Sequence, residues 1–226
     1  MASVLVDGLR LPLSIAGDPA LDFCNTRAGW PLAQPKEYLV SYPHLAVWTR
    51  WVGLVDAPAE GRALAEARTD PARAEAVTER AVALREALYP VLVGGRDGPG
   101  PARPGPRSRA WTLLATEAAA AAATLVLVRS ATTGGGGLAG WEPARDGDPL
   151  LLPYQAVVRA VTALLTSEAA WSVRACPMED CGWVFADLTG RRRWCSMSLC
   201  GNRAKARRHA ARTRTPTRPR AEPAAG

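Results

Sequence analysis

The sequence predicts an α+β chain: a mainly helical N-terminal domain with short β-hairpins, followed by a small module that folds around a metal. Three observations carry this expectation. Apolar residues recur at helical spacing over several long stretches, the pattern of helices with one buried face. Loosely alternating apolar residues flank Asp7-Gly8, a two-residue hairpin turn. Four of the five cysteines fall in the last quarter as two C-x4-C pairs, Cys176/Cys181 and Cys195/Cys200, separated by thirteen residues.

Taken in order, Val4 to Ile15 reads as two short strands about Asp7-Gly8. Ala20 to Thr26 follows, and its Asp22, Asn25 and Thr26 have two readings. They cap a helix or pin a turn through side-chain to backbone bonds, or they supply polar contacts in a ligand pocket. Cys24 lies far from the other four cysteines and reads as a core residue. Ser41 to Val55 is a helix with Ser41 as N-cap, and with Leu45, Trp48 and Val55 on one face. Its tryptophans read as core, and His44 as a satisfied side chain rather than a ligand. Pro58 to Ala67 is a short helix. Asp70 caps a longer one, with Pro71 in its first turn and an end near Tyr89-Pro90.

Gly94 to Arg107, with five Gly and four Pro, is a flexible connector. Ser108 to Ala123 is an Ala-rich helix. Thr124 to Arg129 is a strand, and Leu138 to Glu142 returns beside it across a glycine turn at Thr133 to Gly137. Those glycines lack the following Gly-Lys-Ser/Thr of a phosphate loop. Pro153 to Ser167 is a helix with Val157, Val161, Leu164 and Leu165 facing inward. The organisation is therefore a helical domain over 1–172, the cysteine module over 173–212 and a disordered basic tail over 213–226.

Paired thiols at short spacing, with a second pair about one hairpin away, suit tetrahedral zinc. So short a segment cannot bury enough apolar surface to hold itself together, and the metal serves as its core. Disulfides and inert buried thiols fit four clustered cysteines poorly. One structural zinc ion on Cys176, Cys181, Cys195 and Cys200 is the expected cofactor, with neither Cys24 nor His209 as a ligand. Four thiolates leave zinc no open position for water. The chain also lacks a serine-nucleophile motif, H-E-x-x-H and a dinucleotide fingerprint, so no enzyme is expected. Met1 to Asp7 has neither the basic nor the apolar stretch of a secretion signal, and Ala118 to Val128 is too short to span a bilayer. A reducing, cytoplasmic setting follows, which favours metal over disulfide.

The net charge of +7 is uneven: from Trp171 onward 12 basic residues face 4 acidic ones, whereas the preceding 170 residues hold 16 and 17. A near-neutral body with a cationic end implies a polyanion partner for that end alone. Duplex DNA is the leading partner. RNA and an acidic protein surface are alternatives that basic charge does not separate. A helix from about Ser198 sets Asn202, Lys205 and Arg208 on one side, with Arg203 and Arg207 in a second row roughly opposite. One row lies along phosphate while the other packs on the module or reaches bases. Arg191, Arg192 and Arg193 extend the cationic surface from the preceding loop.

These residues also carry a resemblance. Cys181-Gly182-Trp183, Arg193-Trp194-Cys195, Met197 and Cys200-Gly201-Asn202-Arg203, with the basic run to His209, resemble the CGNR zinc finger over about forty residues. Leu21, Asp22, Asn25 and Thr26 resemble the L-D-x-x-N-T signature that opens the ABATE-type domain usually found with that finger. The resemblance implies a treble-clef-like finger, its first cysteine pair on a knuckle leading into a hairpin and its second at a helix start. It further implies a cytoplasmic bacterial DNA-binding regulator of transcription, in a family described as stress-induced. The N-terminal domain would then sense a small-molecule effector or form a homodimer. The loop Ala186 to Arg192 is shorter than is usual in the family, which puts a loop contact in question but leaves the ligand positions unaffected.

Overall fold

The first hairpin is the one that Asp7-Gly8 dictates. In the computed structural model, which describes residues 3–94, 106–129 and 138–214, β1 (Ser3–Val6) pairs antiparallel with β2 (Leu9–Pro12). Both turn residues have positive φ, 48° at Asp7 and 79° at Gly8, the mirror-image turn whose twist matches that of its strands. Asp18 caps α1 (Pro19–Cys24) by accepting the Ala20 N–H, with Pro19 in the first helical position. A ladder of two residues per strand follows, β3 (Arg27–Ala28) against β4 (Lys36–Glu37). No alternation in the sequence announces strands so short.

α2 (Tyr42–Trp51) stops before the expected end, where Gly53 turns the chain with φ of 78°. Ser41 occupies its N-cap position, but its hydroxyl pairs with His44 Nδ1 at 2.8 Å and not with a backbone N–H. Asp56 caps α3 (Ala57–Thr69). α4 (Pro71–Gly94) continues through Pro90 instead of ending there. The residues beyond, Val91 and Leu92, are buried, and their packing offsets the hydrogen bond that proline cannot donate. α5 (Pro106–Ala122), the ribbon of β5 (Leu125–Arg129) with β6 (Ala139–Pro143), and α6 (Leu152–Leu165) follow as expected. The connector over Gly94 to Arg107, the glycine turn and the tail lie wholly or largely outside the described residues.

The helices enclose a core centred on Trp48, Phe23, Leu45, Leu84, Leu88 and Val157. Phe23 and Trp48 meet at 5.8 Å with rings tilted by 47°. Tyr42 closes one end, donating its hydroxyl to the Leu150 carbonyl at 2.6 Å. The last hairpin, β7 (Val173–Ala175) with β8 (Val184–Ala186), contributes Val173 and Val184 to this same core. In return, Ala28 and Tyr38 join the second apolar cluster, which surrounds the cysteines. The expected boundary at 172/173 therefore has shared packing on both sides. A π-helical turn, Met197–Gly201, leads into α7 (Asn202–Arg214). Among the described residues no helix is long and apolar enough to cross a membrane.

Candidate metal centre and its cationic surface

The loop between β7 and β8 is the knuckle that carries the first cysteine pair. Cys176 N–H donates to the Trp183 carbonyl at 2.7 Å and Cys181 N–H to that of Met178 at 3.0 Å, so the loop folds back on itself. Cys195 comes just before the π-helical turn and Cys200 lies within it. All four sulfurs are buried and lie within 4.8 Å of one another, with 3.7 Å from Cys181 to Cys195 and 3.5 Å from Cys195 to Cys200. Tetrahedral zinc with bonds of about 2.3 Å sets its sulfurs about 3.8 Å apart. The donor set fits that ion.

The protonation chemistry points the same way. Hydrogen bonds from Cys181 and Cys195 push the Cys176 thiol down. The Cys181 thiol is pushed up to about 12 and that of Cys195 higher still, first by their bonds to the Cys176 sulfur. Thiolates gathered this closely repel one another, and a divalent ion offsets that repulsion. Cys176, Cys181, Cys195 and Cys200 form a single zinc site, closed by four thiolates and thus structural. Trp183 shields it, nearly buried, with its indole N–H on the Arg27 carbonyl at 3.2 Å. Cys24 stays apart in the helical core, where burial pushes its thiol up.

Around this centre the chain builds a joint that sequence reasoning does not reveal. The Asn25 side chain donates to the Val184 carbonyl and accepts its N–H, both at 2.9 Å, thus pairing α1's C-cap with β8 like a strand neighbour. Asp22 gathers the Ser14 hydroxyl at 2.7 Å and the N–H groups of Ile15 and Ala16 at 2.9 and 3.0 Å; burial nevertheless holds its carboxyl above the ordinary range. Thr26 donates to the Phe23 carbonyl and accepts from Arg85, which is 1% exposed and forks onto Glu37 at 2.7 and 2.5 Å. Asp22, Asn25 and Thr26, read either as a turn pin or as a ligand pocket, thus all make bonds inside the chain. Gly29 and Trp30 donate N–H groups to the Cys181 carbonyl, and Tyr89, stacked on Trp30 at 3.7 Å, donates to that of Gly182 at 2.7 Å. Gly182 has φ of 67°, and a Cβ there would meet the Trp30 Cβ at 2.7 Å. Its missing side chain thus admits the N-terminal domain.

The cations divide by what they face. Arg192 is a clamp: it donates to the carbonyls of Ile15 at 2.6 Å, Cys195 at 2.5 Å and Ala16 at 3.3 Å, with its guanidinium 4.6 Å from the Phe185 ring. Arg203 forks onto Asp180 at 3.1 and 2.9 Å and lies 3.7 Å from the Cys200 sulfur. Arg207 stands 3.7 Å from Glu179 and 3.9 Å from Asp180, so this row of α7 faces the acidic knuckle. Asn202 reaches back to the Ser198 carbonyl at 3.4 Å. Lys205 and Arg208 are exposed on α7, as are Arg191 and Arg193 on the loop.

A four-thiolate metal centre on a hairpin and helix, carried by a mainly helical domain, makes this a zinc-finger protein. Residues 172–213 match the CGNR zinc finger, and residues 17–168 match ABATE, described as a putative stress-induced transcription regulator. The chain belongs to the ABATE family, with the CGNR finger behind that domain. No match is found among curated proteins.

Proposed function

We propose that this chain is a DNA-binding regulator of transcription whose zinc-built finger presents cations to duplex DNA while the N-terminal domain supplies the input. The observation that carries this reading is the segregation of charge onto one metal-anchored element. From Trp171 onward 12 basic residues face 4 acidic ones, and α7 buries Ala204 against the metal cluster while exposing Lys205 and Arg208. A cationic surface held in fixed geometry suits a regular array of phosphates. The closed metal site and the family's regulatory description support a role without catalysis.

For the input, an open and mainly apolar groove of about 870 Å³ lies between α3 and α4, lined by Leu39, Tyr42, Leu64, Ala74 and Val82. It offers an effector more room than the engaged Asp22, Asn25 and Thr26. A thermal-shift screen against metabolites that gave no hit, beside a stable dimer in sedimentation, would assign the domain to dimerisation instead.

The DNA reading is tested with the zinc-loaded chain and a labelled random duplex across salt concentrations. Four cations on phosphate give log K a slope of about −3.6 against log salt. Equal binding to polyglutamate would favour a protein-interaction module, and binding to single-stranded RNA but not duplex would favour an RNA module. Selection from a random duplex pool then identifies the operator.

A further inference from the structure

Seven cations of the finger are candidates for nucleic-acid contact, and the geometry engages three of them elsewhere. Arg192 is held by backbone carbonyls, Arg203 by Asp180, and Arg207 lies beside Glu179 and Asp180. Among the described residues Arg191, Arg193, Lys205 and Arg208 meet no carboxylate at ion-pair distance. Two of these four, Arg191 and Arg193, border one cleft of about 410 Å³, which the half-buried Arg192 also lines beside Ile15, Trp194 and Met197.

The way Arg192 is held explains the cleft. Exposure alternates across the loop, with Arg191 and Arg193 exposed and Arg192 half-buried. Drawing Arg192 inward onto the carbonyls of Ile15 and Cys195 leaves its two neighbours outward. Two exposed guanidiniums on one cleft can hold successive phosphates of one strand, each by paired hydrogen bonds. Trp194, the aromatic side chain of the cleft lining, is already engaged. The Arg193 guanidinium lies 5.4 Å from the centre of the Trp194 ring, and that ring packs on the cysteine cluster. The cleft therefore suits the charged backbone, with Met197 and Ile15 against the sugar.

We propose that the Arg191/Arg193 cleft binds two successive phosphodiesters of duplex DNA and that the Arg203/Arg207 row does not touch the backbone. This rests on the DNA-binding reading above and replaces its uniform basic surface with a defined contact.

The experiment measures duplex affinity against salt for the zinc-loaded full chain, R191A/R193A, R191K/R193K and R207A. The alanine pair should flatten the slope by about 1.8, equivalent to a loss of roughly 60-fold at 0.1 M salt if counterion release is the whole effect. The lysine pair should keep the parent slope but bind more weakly, because it retains charge and loses the paired geometry. R207A should keep the slope. Zinc content and melting temperature should match the parent in every variant, since these side chains are exposed and none is a ligand. If the parent binds duplex and the alanine pair keeps its slope, the cleft assignment fails while the DNA reading stands. If the parent binds no duplex at low salt, that reading fails and takes the assignment with it. If inorganic phosphate stabilises the parent but not the alanine pair, and duplex affinity is equal in both, the cleft is a small-anion site and the proposal is overturned.

Discussion

Two glycines form a matched pair that measures how tightly the finger is fastened to the N-terminal domain. Gly182 and Gly190 have φ of 67° and 70°, so replacing either with alanine places an L side chain in the left-handed region, at a cost of about 1 kcal/mol. At Gly190 nothing lies within 4 Å of the added carbon, and that cost is the whole effect. At Gly182 the carbon would stand 2.7 Å from the Trp30 Cβ and 2.9 Å from the Pro31 Cδ, neither of them the tip of a flexible chain. The Trp30-Pro31 segment has to move, and it holds the Gly29 and Trp30 bonds to the Cys181 carbonyl. Overpacking costs about 1–3 kcal/mol, and weakened hydrogen bonds add about 1 kcal/mol. G182A should therefore lose about 3–5 kcal/mol. At 2–4 °C per kcal/mol, G190A should melt about 3 °C below the parent and G182A about 10 °C below it. Calorimetry with a chromophoric chelator reporting zinc release reads both. If the two variants melt at the same temperature, the contact at Gly182 is not holding the domains together.

Three further outcomes follow from the site and its joint. Purified protein should carry one zinc per chain, and C195S/C200S should lose it; because Val173 and Val184 belong to the main core, helical unfolding should then begin at lower temperature too. Asn25→Ala leaves both backbone groups of Val184 buried without a partner and should cost about 2–4 kcal/mol by denaturant titration, and Asn25→Asp, which sets a buried carboxylate oxygen against the Val184 carbonyl, should cost at least as much. The Glu37 carboxyl is held below its ordinary range: burial opposes this, but the hydrogen bonds and charge of Arg85 outweigh it. Its stabilisation is present above the unfolded value, about 4.3, and disappears as pH falls through the lower folded value. Acid titration should consequently cost the parent more stability than E37Q in that window, and parallel curves would remove the pair from the stability of the fold.

What the sequence discloses is what local chemistry determines. The Asp7-Gly8 turn and the helical spacing of α6 act over a few residues. The four ligands were legible because thiols at short spacing have few other uses. Contacts across 159 residues, as between Asn25 and Val184, leave no such trace. Arg192 looks like its neighbours Arg191 and Arg193, yet its hydrogen bond to Ile15 spans 177 residues and turns it into a clamp. Arg85 likewise reads as one more polar position on a helix, and its burial is made tolerable by Glu37 arriving on β4, with Glu86 and Thr26 beside it. Even a strong local signal yields to packing at Pro90, where the helix continues because Val91 and Leu92 have a core to enter.

The same long-range contacts explain why so small a finger can present charge in a fixed direction. A two-stranded hairpin such as β7–β8 is marginal by itself, and zinc joins its knuckle to the start of α7 without fixing the pair relative to anything else. Orientation comes from bonds made next to the ligands: the Cys181 carbonyl takes two N–H groups from residues 29 and 30, and the Cys195 carbonyl takes the Arg192 guanidinium. That guanidinium also holds Ile15, so one planar fork ties the metal loop to the segment that Asp22 gathers. Lysine would keep the charge but lose the Nη1 bond to the Ala16 carbonyl and the flat guanidinium over the Phe185 ring. Metal ligation and domain attachment therefore converge on the same short loops, and the arginines left facing outward are placed by the one that faces inward.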